Sequence, residues 1–266
     1  MATISEAAKA ECTRMQNKYK SLLEEVEAKL VKTEKDLASL EDNFEIAGKK
    51  IEAVVLYIQA SSFITTICYI AIEYINVRSD NKLNDGRRYI NKAIMLLEEV
   101  FGNHTDDSFS LNEDIHEYFK DKLSDEWRYK FICSFGYVID YLKYCYGENS
   151  KWLQNFVEIE AKFSAVCKNM IDFKSYIKEL SPEITGYKFR VKMMELVKKL
   201  LYASAEQYRT QYEQNKRLDD MKIALNIIAS LRRIHVYLNE NEESEDKKKM
   251  YDLWKKKMDA DIKKMK

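Results

Sequence analysis

From Tyr19 to Ile58 the chain sets a residue at alternating steps of four and three: Tyr19, Leu23, Val26, Leu30, Thr33, Leu37, Leu40, Phe44, Ala47, Ile51, Val54 and Ile58. All but Thr33 are apolar. A 3.5-residue period keeps one edge of a helix facing a neighbour over many turns, whereas a half-buried strand needs strict alternation. No run of alternating residues supports a strand. The expected class is all-α: a long N-terminal coiled-coil-like helix followed by a multi-helix bundle. One proline and six glycines in 266 residues agree with this and argue against α/β enzymes, whose phosphate-cradling loops need glycine.

With Leu23 at heptad position a, the seam available for association comprises Leu23, Val26, Leu30, Leu37, Leu40, Phe44 and Ile51. Leucine at a is not what a parallel dimer prefers, and in such a dimer Asp36 would meet Glu41 and repel it. An antiparallel partner or a bundle of more than two helices fits better. The same stripe also fits packing on helices of its own chain.

Residues 53–72 contain no charge over twenty positions, enough to cross a bilayer at about 1.5 Å per residue. Gln59, Ser61, Ser62, Thr65 and Thr66 would put polar groups near the hydrocarbon centre, so a buried central helix is the preferred reading and membrane contact the alternative. At the other end, residues 247–266 hold nine lysines and three aspartates. Met250, Trp254, Met258, Ile262 and Met265 form one apolar stripe there. Such a basic amphipathic helix suits a membrane surface or a partner's groove, or folds back onto the body.

Three segments are expected: a long helix with heptad seam and apolar end over 1–78, a helical body over 79–240, and the basic C-terminal helix over 241–266. The first helix should run from about residue 4 to residue 77, with Gly48 a candidate bend, and end in a turn at Asn84-Asp85-Gly86. A short helix then carries Ile90, Ala93, Ile94, Leu97 and Phe101 on one face and stops at Gly102. Residues 103–112 read as loop. Ser124 should cap a helix reaching Tyr146, which Gly147 ends. Ser150 should cap a helix whose stripe extends from Leu153 to Ile177, and Ser181-Pro182 should open the next. A polar patch at 214–220 separates that helix from one over 221–238, and a charged stretch at 239–246 leads to the last.

Catalytic and metal motifs are sparse. Glu113-Asp114-Ile115-His116 is the lone Glu-x-x-His pair, where a two-metal bundle centre needs two, so His116 reads as a surface histidine near a helix start. His104 and His235 add no second pair. No GxSxG, GxxxxGK[ST] or GxGxxG occurs. Five scattered cysteines without CxxC spacing read as reduced thiols, and no cationic apolar leader precedes the chain, so a cytoplasmic location is expected. Nucleic-acid binding could use Trp127-Arg128-Tyr129, the tyrosines of 141–146, or cations such as Lys188, Arg190, Lys192, Arg209 and Arg217. A net charge of zero and interspersed glutamates argue against it. The expected role is therefore non-enzymatic, without catalytic residue, metal or cofactor. It is a helical scaffold or adaptor that joins a protein partner or itself as a homo-oligomer, with a membrane-inserting effector and a nucleic-acid-binding bundle as alternatives.

Overall fold

The seven-residue stripe is interrupted at residues 39–42, where the chain reverses. The Ser39 hydroxyl donates to the Asp36 carbonyl at 2.7 Å, and the Asp42 carboxylate accepts the N–H groups of Phe44 and Glu45 at 2.9 Å each. These bonds satisfy groups that helix ends leave bare. The computed structural model, which describes residues 5–148 and 150–265, thus has two helices, α1 (Glu6–Ala38) and α2 (Asn43–Ile75), where one rod was expected. Gly48 lies inside α2, so the break precedes the position read as a candidate bend.

Eight further helices follow among the described residues: α3 (Asp80–Phe101), α4 (Glu113–Phe119), α5 (Asp125–Tyr146), α6 (Leu153–Asn169), α7 (Phe173–Lys178), α8 (Tyr187–Asn215), α9 (Leu218–Tyr237) and α10 (Asn241–Met265). The protein is an all-α multi-helix bundle, and no strand occurs among these residues. It divides into two compact units. Unit 1 joins Met1–Val100 to Phe131–Phe156, and unit 2 joins Phe101–Lys130 to Val157–Lys266.

In unit 1, α1 and α2 run antiparallel. Gln16 donates to the Ile67 carbonyl at 2.9 Å near one end, and Thr33 reaches Glu52 at 3.3 Å near the other. Val26 and Leu30 of the predicted seam, with Thr33 of the same stripe, are buried in this hairpin, as are Ala47, Ile51, Val54 and Ile58 on the α2 side. Leu23, Leu37 and Leu40 are half-buried, and Phe44 is exposed at the reversal. The hydroxyl of Tyr57 on α2 donates to Glu34, and that of Tyr89 on α3 donates to Glu27 at 2.7 Å. Glu27 and Glu34 lie seven residues apart beside the stripe, so the heptad governs the polar flank as well as the apolar edge.

The turn expected at Asn84-Asp85-Gly86 is instead the second turn of helix α3. Asn76, left-handed at φ 50°, ends α2, and Val77 N–H returns to the Ala71 carbonyl at 3.1 Å, so an asparagine takes the place glycine usually holds. Gly86 lies within α3 beside Leu142 and Ile64, where an added Cβ would stand at ordinary contact distances of 3.4 Å and 3.5 Å. The face of α3 from Ile90 to Phe101 is buried as expected.

In unit 2, α9 packs against both α8 and α10. The stripe read from Leu153 to Ile177 is cut in two because Asp172 caps α7 by accepting Ser175 N–H at 3.1 Å. Ser181-Pro182 opens a turn, with Ile184 N–H on the Ser181 carbonyl at 3.0 Å, and α8 starts only after Gly186 at φ +88°. The charged stretch before the last helix is largely its first turns, since α10 begins at Asn241. Replacing Leu30 by alanine should cost about 2–5 kcal/mol in chemical denaturation while leaving the solution mass unchanged, because Leu30 packs against a helix of its own chain.

Candidate functional site

Unit 2 holds a cleft of about 530 Å³ around the start of α5. The Ser124 hydroxyl accepts Trp127 N–H at 3.2 Å, which fixes the first turn of α5 and turns Arg128 inward. Arg128 is 6% exposed. Its guanidinium donates to the Leu123 carbonyl at 3.1 Å and the Met170 carbonyl at 2.8 Å, and it forms no ion pair among the described residues. Burial lowers its pKa, against the pull of Asp125 and Asp172.

His116 was read as a surface residue, and the structure corrects this: it is 5% exposed, with its ring 6.1 Å from that of Phe101. Helix α4 is only seven residues long, too short for sequence periodicity to reveal its inner face. The backbone of Asn169 hydrogen-bonds the imidazole, while Nδ1 has no partner. Burial, reinforced by the nearby Arg128 charge, pushes the His116 pKa down to about 4, so the ring is neutral at physiological pH.

The remaining walls are built by charge pairing. Arg190, equally buried, contacts Asp125 at 2.6 Å and Glu179 at 2.8 Å. Gly186 makes room for this: an added Cβ would lie 2.7 Å from the Asp125 carboxylate. Burial pulls the Asp172 carboxyl up, but the Ser175 hydroxyl and N–H hold it below its ordinary value. Leu123, Ile171, Phe189 and Met193 supply apolar surface.

Lys168 beside this region is 1% exposed and donates to the Asp107 carbonyl at 2.7 Å. Burial and then the Arg233 charge lower its pKa to about 8. With Asn169 on the Gly102 and His104 carbonyls, it anchors the loop before α4. No group of three His, Cys, Asp or Glu side chains that could hold a metal occurs among the described residues.

The other sequence candidates separate. In unit 1, Leu23 lines a hollow of about 470 Å³ with Lys20, Lys82, Arg88 and Lys92. Eleven positions of 53–72 in α2 are buried, including Ser61 and Thr65, although the helix is long and apolar enough to cross a membrane. On α10, Trp254 is buried with Arg209 of α8 5.6 Å from its ring, while Met250, Met258 and Ile262 are half-buried. The side chain of Met265 lies outside the described residues. Of the cations on α8, Arg190 is buried, Lys198 pairs with Glu240 at 2.5 Å, and Arg209 pairs with Glu206 at 3.1 Å.

The tyrosines of α5 divide in a way that periodicity did not resolve. Tyr146 is buried, whereas Tyr137 and Tyr144 are 65% and 63% exposed. Tyr141 lies between them, 5.8 Å from Tyr137 and 5.4 Å from Tyr69 of α2, and Tyr69 is 6.3 Å from Tyr144. The spacing 137, 141, 144 was the available signal.

The buried imidazole has a consequence for stability. Its ordinary pKa of 6.5 in the unfolded chain exceeds the folded value of about 4, so the unfolded state takes up the proton first as pH falls. Stability should drop below pH 6.5 by on the order of 1 kcal/mol per pH unit down to about 4. Urea denaturation of His116→Gln across this interval should show a flatter slope than the wild type. No curated protein and no solved structure was found to match the chain. The TP0443 family model, however, matches residues 8–262, nearly the whole sequence, and the chain belongs to the TP0443 family.

Proposed function

We propose that the chain is a non-enzymatic helical scaffold that self-associates through the tyrosine face of unit 1. The observation that carries this reading is the contiguous set Tyr69, Tyr137, Tyr141 and Tyr144, two of which leave most of their surface to solvent. Tyrosine presents a large amphipathic surface with few torsions to order, and it is enriched at the centres of protein interfaces.

A second copy of the same face is the proposed occupant. Each hydroxyl both donates and accepts, and offset rings can interleave with their own image, which is what a two-fold interface requires. The heptad seam is a poorer candidate, because Val26, Leu30 and Thr33 are already covered by α2. The membrane reading rests on the length and apolar character of α2, and it requires Val54, Ala60 and Thr65, now buried, to turn outward to lipid.

Sedimentation equilibrium of the full chain over a range of concentrations tests the proposal. A mass above 31.5 kDa that rises with concentration is expected, and Tyr137→Asp with Tyr144→Asp should weaken association at least about tenfold. A wild-type mass fixed at the monomer value, or an oligomer indifferent to both substitutions, would overturn it.

A further inference from the structure

Charge pairing within the unit 2 cleft leaves a remainder. Arg190 takes up Asp125 and Glu179, and Lys130 takes up Glu126 at 2.7 Å. Lys120 and Asp121 stand on the exposed rim. One guanidinium, Arg128, and one carboxylate, Asp172, then stay without an ion-pair partner among the described residues. Both act electrostatically on His116, whose unpartnered Nδ1 belongs to a ring nine-tenths buried and lining the same cleft.

Each simple ligand class fails one of these three groups. A plain anion would satisfy Arg128 but meet the Asp172 carboxylate and the imidazole lone pair. A plain cation would satisfy those two but meet Arg128. A neutral apolar molecule would leave a deeply buried guanidinium and an orphaned acceptor unmatched, and both are costly. A ligand with adjacent positive and negative groups satisfies all three.

We infer that the cleft binds a free α-amino acid with an apolar side chain. Its carboxylate lies on the Arg128 guanidinium, and its ammonium lies on Asp172 with one N–H donated to His116 Nδ1. Its side chain lies against Leu123, Ile171, Phe189 and Met193. The volume is in the range of small-molecule sites, and two backbone carbonyls already hold the guanidinium in place. This site is wholly within unit 2 and does not depend on the tyrosine face of unit 1.

Equilibrium dialysis of the full chain near neutral pH with labelled leucine and phenylalanine tests the inference, with N-acetyl-leucine and leucinamide as competitors. At least one free amino acid should bind with a Kd of about 1 mM or tighter. Both blocked competitors should compete at least about tenfold less well than the unlabelled amino acid. Equal competition by N-acetyl-leucine would mean an anion site, and equal competition by leucinamide a cation site; either overturns the inference, as does the absence of binding by both amino acids. Arg128→Lys should abolish binding but also disturbs the bonds to Leu123 and Met170, so Asp172→Asn is the second variant. Asparagine caps helices as well as aspartate does, so the fold should persist and the loss should be at least about tenfold. A folded Asp172→Asn protein that binds like the wild type would overturn the inference.

Discussion

The apolar edge of α1 must be covered, and the architecture of unit 1 follows from which helix covers it. A second molecule would supply a partner only after losing translational and rotational freedom worth roughly 4–15 kcal/mol. The chain supplies α2 through a reversal of four residues, 39–42, whose closure entropy is far smaller. Both arrangements bury similar side chains at roughly 1.5–3 kcal/mol each, so the intramolecular one wins on entropy. The antiparallel direction then brings Glu34 to Tyr57 and Gln16 to the Ile67 carbonyl.

Unit 2 is organised differently. Arg128, Arg190 and Lys168 are all more than nine-tenths buried, and each donates to main-chain carbonyls of irregular segments. Loops expose carbonyls that no helix ladder satisfies, and a buried cation meets that need while being held in turn. The 102–112 loop is fixed in this way by Lys168, Asn169, Ser230 and Arg233. Arg128 differs from Arg190 in one respect: its hydrogen bonds go to carbonyls alone, while Asp125 and Asp172 act on its charge without a direct ion pair among the described residues.

Much of the chain was legible because helix signals are local. The end of α3 at Phe101-Gly102, the cap at Ser124, the stop at Gly147 and the polar break before α9 each depend on a few adjacent residues. What sequence missed depends on contacts between distant segments. The reversal at 39–42 was invisible because the inner faces of both hairpin helices carry the same stripe, so the period runs on through Leu37, Leu40 and Phe44 across the turn. Gly86 looked like a turn residue, yet it lies within α3 beside Leu142 and Ile64. His116 looked like a surface group because nothing local says which side of a seven-residue helix faces inward.

Helix α2 shows why composition alone could not separate a core helix from a spanning one. Its hydroxyls are largely satisfied by their own helix: Thr65 donates to the Ser61 carbonyl at 2.8 Å and Thr66 to that of Ser62 at 2.9 Å. Serine and threonine are tolerated in lipid by the same bonds, so their presence discriminates little. The neighbours carry more information. Lys50 pairs with Glu99 of α3 at 2.7 Å, Lys49 approaches Asp36 of α1 at 3.6 Å, and Tyr57 donates to Glu34. Each of these partners is an acidic side chain presented from an adjacent helix. In this fold eleven positions of the uncharged run are buried, and acidic side chains of the neighbouring helices stand beside α2.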